Sequence, residues 1–211
     1  MKKYIREPIN FITHLIPALI AVPATYLLIK EATGGTQIAS ALTFGLAMIS
    51  LFAISAIYHG FPKEPKSIRF WQKFDHCCIY LMIAGSYTPT ALIVFEGWFK
   101  WAFFGLVWFI AVIGCLLKIF DRLKNTAVSL ALYIGMGCLV LPLINLMLVK
   151  LPVEALYWLL LGGAFYLIGT IFYKKDKALF TYFHTHELWH LFVVMGAASH
   201  YVYNYKYLMI A

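Results

Sequence analysis

The side chains able to do chemistry fall in three short groups: Ser55-x-x-x-His59, Phe74-Asp75-His76 and His184-Thr185-His186-Glu187-Leu188-Trp189-His190. Ser55 and His59 are four residues apart, as are His186 and His190, so on a helix each pair shares one face. Two imidazoles from one helix and a third from a facing helix supply three nitrogen ligands. A fourth tetrahedral position is then left for water, the arrangement of a catalytic zinc site. Asp75 is the acid placed to hydrogen-bond that water or to orient a histidine.

All three groups lie at the ends of apolar stretches. The chain has 211 residues, of which 63% are hydrophobic and 12% charged, with a mean hydropathy of +0.80. That is too little polar side chain to cover a water-facing surface. Crossing a ~30 Å hydrocarbon layer takes about 20 apolar residues. Seven such runs are legible, at roughly 9–29, 37–60, 75–95, 101–120, 127–149, 155–172 and 186–203. Their apolar character is continuous, without the period-2 alternation of a barrel strand, so helices are expected. The links between them are too short for an extramembrane domain. The expectation is an all-α integral membrane protein, one seven-transmembrane helix bundle over residues 1–211.

The net charge of +8 is a topology signal. Lys and Arg at 2, 3, 6, 63, 66, 69, 73, 118, 122, 124, 174, 175 and 177 fall at one set of span ends, and only Lys30, Lys100, Lys150 and Lys206 at the other. Thirteen against four implies a cytoplasmic N-terminus and an external C-terminus in a multi-pass protein of the cell (inner/plasma) membrane. Some attraction to anionic lipid heads follows, and nucleic acid is not expected as a partner. On this topology His59, Asp75, His76, His186 and His190 share one depth near the cytoplasmic face. Ionisable groups at membrane depth are costly and usually mark function.

The basic N-terminus before an apolar run reads as the first span and not as a cleaved leader. Cys77, Cys78, Cys115 and Cys138 read as small packing residues. Pro17, Pro23, Pro89 and Pro142 lie within spans and are expected to kink them, with Pro89 able to open a cavity beside the site. Trp71, Trp98, Trp101 and Trp158 sit near span ends, as an aromatic belt does.

Blander readings apply to other polar residues. His14 and His200 read as packing or hydrogen-bonding histidines. His76 and His184 read as interfacial or outer-shell groups, and Glu187 as an acid suited to a helix start. His186-Glu187-Leu188-Trp189-His190 also matches H-E-x-x-H, the zincin pair of ligands with a glutamate base. No acidic residue after His200 supplies a third ligand, so a protease reading is weak.

In these residues the chain resembles the hemolysin III family, the bacterial branch of the progestin and adipoQ receptor family that includes adiponectin receptors. The resemblance runs through Glu7-Pro8-Ile9-Asn10-Phe11-Ile12-Thr13-His14, Ser55-Ala56-Ile57-Tyr58-His59, Phe74-Asp75-His76, Ile83-Ala84-Gly85-Ser86-Tyr87-Thr88-Pro89 and His186-Glu187-Leu188-Trp189-His190. It implies seven helices, a cytoplasmic N-terminus and zinc held by His59, His186 and His190. Asp75 matches the aspartate associated with the zinc water, and Ser55 the serine one turn before the first ligand. Glutamine stands at the position of Glu187 in related receptors, which argues against Glu187 as an obligatory base. Leu15-Ile16-Pro17 departs from a glycine-containing stretch expected there.

Two functional classes follow. One is a zinc-dependent hydrolase of a lipid amide or ester, with Asp75 passing a proton and Ser55 hydrogen-bonding the water or the substrate. Membrane lipids are its partners, one of them the substrate. The other is a non-enzymatic pore former or receptor-like bundle with structural zinc. Few mid-span charges and no charged ring support a selective channel, and bis-histidine haem would need ligands facing across a haem plane. Substrate and oligomeric state are left open.

Overall fold

In the computed structural model, residues 5–173, 177–181 and 183–210 are described. Lys2, Lys3, Lys174 and Lys175, four of the cations in the charge reading, lie outside them. Helix α1 (Pro8–Glu31) is followed by α2 (Gly35–Gly60), α3 (Pro65–Pro89) and α4 (Gly97–Ile119). Then come α5 (Thr126–Gly137), a short α6 (Ile144–Leu148), α7 (Val153–Tyr173) and α8 (Thr185–Asn204). Among the described residues, six segments are long and apolar enough to cross a membrane: α1, α2, α3 with its extension to Val94, α4, α5 through α6, and α7. Helix α8 spans 20 residues but includes His186, Glu187, His190 and His200, and it is not among the six.

The outer surface is apolar where a soluble protein would be polar. Leu19, Ile20, Leu46, Phe109 and Ile171 are exposed side chains on helix flanks. With no water to satisfy backbone groups, helices are the form such segments adopt. Close approach of α2 and α3 depends on glycine. A Cβ on Gly85 would meet the Ala47 methyl and lie 3.3 Å from the Thr43 carbonyl, the small-residue contact typical of membrane helices.

Two expectations need correction. The stretch 61–74, read as a loop, is largely helix, because α3 begins at Pro65, ten residues before the expected span start. Pro65 suits the first helical turn. Lys66, Arg69 and Lys73 give this extension a charged face that hydropathy does not register as helix. Lys73 bonds the Ile119 carbonyl and Asp121 at 2.8 Å each, and Arg69 reaches the same carboxylate at 3.0 Å, pinning α3 to the α4–α5 turn. The link 173–185 also carries two short antiparallel strands, β1 (Ala178–Phe180) and β2 (Phe183–His184), a small departure from an all-helical chain.

The prolines act unequally. Pro17 and Pro23 sit inside an uninterrupted α1. After Pro89 the winding loosens to a π-turn over Thr90–Val94. Pro142 lies in a 3-10 segment, Cys138–Leu143, that separates α5 from α6. The break is held by one side chain of α3. The Tyr87 hydroxyl donates to the Gly137 carbonyl at 2.5 Å and accepts from the Val140 amide at 3.2 Å.

Candidate metal centre

His59 lies in the last turn of α2, and His186 and His190 in the first two turns of α8. One ring nitrogen from each falls within 4.8 Å of the other two. Their ring centroids are 5.2 Å (59–186), 4.9 Å (59–190) and 4.8 Å (186–190) apart. The i, i+4 spacing in α8 thus aims both imidazoles at one point, and the end of α2 delivers the third. His59 and His190 are almost fully buried, and His186 is half-buried.

Asp75, three turns into α3, and Ser55, one turn before His59, face the same cavity as the three histidines. The Ser55 hydroxyl lies against the Asp75 carboxyl. The cavity encloses about 820 Å³ and runs from this cluster between α3, α5, α7 and α8. Apart from the polar cluster its walls are mostly apolar, with Ile79, Ile83, Leu130, Ile134 and Leu167 among them. Pro89 does not line it; Ser86 and Tyr87, just before, do.

The remaining histidines divide. His76 lines the cavity, with Nε2 3.4 Å from the Tyr173 hydroxyl, and stands outside the three-histidine cluster. The backbone amide of His184 donates to Glu187 at 2.7 Å, so Glu187 serves the start of α8 as its position suggested. That carboxylate is engaged at the helix end, which weakens the zincin reading further. His200 bonds the Leu159 carbonyl at 3.1 Å, a packing role. His14, also read as a packing residue, is more closely tied to the site. Its ring stacks on His190 at 3.7 Å with only 9° between planes, and packs edge-on to Phe52 at 5.2 Å.

Sequence reasoning missed how far α1 enters the site. His59 Nδ1 stands 2.5 Å from Glu7 Oε2, and His190 Nδ1 stands 2.9 Å from Thr13 Oγ1. The Thr13 hydroxyl gives its own proton to the Asn10 carbonyl at 2.9 Å, and the Asn10 amide donates to Glu7 Oε2 at 3.2 Å. Arg6 holds this segment on the end of α2. It donates to the Tyr58 carbonyl at 2.7 Å, pairs with Glu7 at 3.2 Å and lies over the Tyr58 ring. The backbone amides of Arg6 and Glu7 reach the Gly60 and His59 carbonyls, both at 3.0 Å. Partial burial pushes the Glu7 carboxyl up, but His59 and then Arg6 outweigh it and hold it below the usual carboxylate value. Glu7, Asn10 and Thr13 recur every three residues, and that spacing at a helix start was the available signal.

The donor set fits a zinc ion. Zn–N bonds of ~2.0–2.1 Å in a tetrahedron hold nitrogens about 3.4 Å apart, and one nitrogen of each ring lies within 4.8 Å of the other two. Four imidazoles packed together, counting His14, with a carboxyl beside them, form an expensive apolar-core feature that a cation would justify.

A family model described as "Haemolysin-III related" matches residues 2–201. The chain is 34% identical over 203 residues to "Hemolysin-3" of Bacillus cereus, covering 94% of this chain and 90% of that protein. It is 35% identical over 200 residues to "Hemolysin-3 homolog" of Bacillus subtilis (strain 168), covering 92% and 91%. It is 28% identical over 210 residues to human "Monocyte to macrophage differentiation factor", covering 94% and 83%.

Proposed function

From the premise that the chain belongs to the haemolysin-III related family of multi-span membrane proteins, we propose that it is a zinc-dependent hydrolase of a lipid amide or ester. The observation that carries this reading is the convergence of ring nitrogens of His59, His186 and His190 within 4.8 Å on the wall of a mostly apolar cavity. In this reading α8 is the seventh crossing and residues 1–211 act as one unit. The N-terminus is cytoplasmic and the C-terminus external, following the Lys and Arg asymmetry. The site then lies under the cytoplasmic leaflet of the plasma membrane, where a lipid's polar linkage meets its chains.

His59, His186 and His190 hold the ion. When bound, zinc supplies Lewis acidity, polarising a carbonyl and bringing the pKa of water to about 7. Asp75 accepts the proton of the attacking water and returns it to the leaving amine or alcohol. Ser55, against the Asp75 carboxyl, orients that base and offers a hydroxyl to the substrate's polar linkage. The cavity walls receive the acyl chain and exclude bulk water, which strengthens charge interactions at the reacting carbonyl. Membrane lipids are the partners, and nucleic acid has no part.

The test is metal content and turnover of detergent-purified protein on amide and ester lipids, wild type against His190→Ala. Stoichiometric zinc and turnover in the wild type, both lost in the variant, are expected. Equal turnover in the two would remove the hydrolase reading. The names of the two Bacillus relatives, "Hemolysin-3" and "Hemolysin-3 homolog", motivate a second reading, a lytic membrane protein in which zinc is structural. Dye release from liposomes that survives alanine at all three histidines would favour it.

A further inference from the structure

Two of the three candidate ligands have Nδ1 committed to one face of one helix. His59 meets Glu7 and His190 meets Thr13, and both partners lie at the start of α1, joined through Asn10. With the Thr13 hydroxyl donating to the Asn10 carbonyl, its oxygen is the acceptor toward His190, whose Nδ1 then carries the hydrogen. The Glu7 carboxylate only accepts, so His59 carries hydrogen on Nδ1 as well. Each ring is then left with a lone pair on Nε2, and a metal ligand needs that lone pair.

We infer that Glu7 and Thr13 are positioning residues of the metal centre, setting the tautomer and ring orientation of His59 and His190 so that both present Nε2 to the cation. The inference rests on the zinc reading above and deepens it. Glu7 does more than orient: its negative charge behind His59 favours a cation on the far side of the ring, the carboxylate–histidine–metal relay. Thr13 contributes orientation alone, through a neutral relay ending on a backbone carbonyl. Because Asn10 ties the two, the first two turns of α1 form a single brace spanning ligands from α2 and α8. Arg6 keeps that brace seated by donating to the Tyr58 carbonyl from its guanidinium and to the Gly60 carbonyl from its backbone amide, at the end of α2.

The test uses full-length protein in detergent: wild type, Glu7→Gln, Thr13→Val and Thr13→Ser. Each is titrated with zinc against a chromophoric chelator, and each is loaded with Co²⁺ for its visible spectrum. Glu7→Gln and Thr13→Val are expected to bind zinc about 10–100-fold more weakly, as loss of a ligand's hydrogen-bond partner does, with altered Co²⁺ bands. Thr13→Ser keeps the accepting oxygen and restores wild-type affinity and spectrum. A general loss of structure would lower the melting temperature of the metal-free form, which the inference leaves unchanged. Wild-type affinity and spectrum in both Glu7→Gln and Thr13→Val overturn the positioning role while leaving the zinc reading intact. So does a Thr13→Ser variant as weak as Thr13→Val. A wild-type protein that takes up neither zinc nor Co²⁺ overturns both. Should Glu7→Gln fail to fold, the Thr13 pair decides the question alone.

Discussion

The two walls of the cavity are built on opposite principles. On one side α1, α2, α3 and α8 carry Glu7, Thr13, Ser55, Asp75 and the histidines, with polar groups tied to one another across helices. On the other side α5 and the 3-10 segment after it present Leu130, Ile134 and Leu141, and that segment, around Pro142, interrupts the span. Metal ligands need fixed rings, since an imidazole turned away contributes nothing. On the proposed reading, a wall for an acyl chain needs only volume and apolar surface, which a helix broken around Pro142 still supplies. Cross-helix hydrogen bonds to ring nitrogens are therefore found where direction matters.

The largest effect that would sharpen this contrast comes from the polar wall. Asp75→Asn is expected to keep zinc while lowering lipid turnover by about 10²–10⁴-fold, the usual worth of a proton-transfer group; parallel zinc analysis and rate measurement check it. Loss of zinc along with turnover would mean that Asp75 holds the site together instead of moving protons. On the apolar wall, Ile134→Trp narrows the cavity and should leave zinc affinity unchanged. It should cut turnover of long-chain substrates about 10-fold or more and spare short-chain ones, because hydrophobic fit discriminates by roughly that factor. Equal effects on both chain lengths would show that the chain lies elsewhere.

Smaller effects test what holds each wall in shape. Tyr87→Phe strips the hydroxyl that bridges the broken backbone at Gly137 and Val140. Thermal unfolding in detergent should show a loss of about 1 kcal/mol, in the range of buried hydrogen bonds in membrane bundles. The smallest effect lies at the α4–α5 turn. Lys73, then Arg69, hold the Asp121 carboxyl below its usual value. Its folded value is depressed, so its contribution is present above the ordinary carboxylate range and fades as pH falls through the folded value. A pH series of melting temperatures should show a shallow acid loss that Asp121→Asn flattens; an identical series in the two proteins would empty that ion pair of any role.

Much of the fold was legible because a bilayer makes hydropathy nearly sufficient. The expected run 9–29 is α1 at Pro8–Glu31, 37–60 is α2 at Gly35–Gly60, and 155–172 is α7 at Val153–Tyr173. The early start of α3 was not legible, since residues 65–74 mix charges with aromatics and carry no spanning signal. Nor was the break in the fifth span foreseeable in form: Pro142 announced a kink, but the 3-10 winding depends on Tyr87 from another helix. In the site, helical spacing paired His186 with His190 and Ser55 with His59, and the alternation of spans set Asp75 at the same end.

What sequence alone determined is therefore what local period and composition can carry: apolar runs, which residues share a helix face, and which span ends lie together. Tertiary structure decided the rest, because Glu7 and Thr13 act on histidines 52 and 177 residues away. The three-residue spacing of Glu7, Asn10 and Thr13 says that they share a helix face, but a glutamate before a helix and a threonine within one have ordinary local uses, and the spacing does not say what that face touches. Only the packing of α1 between the end of α2 and the start of α8 turns them into the groups that hold two imidazoles in direction.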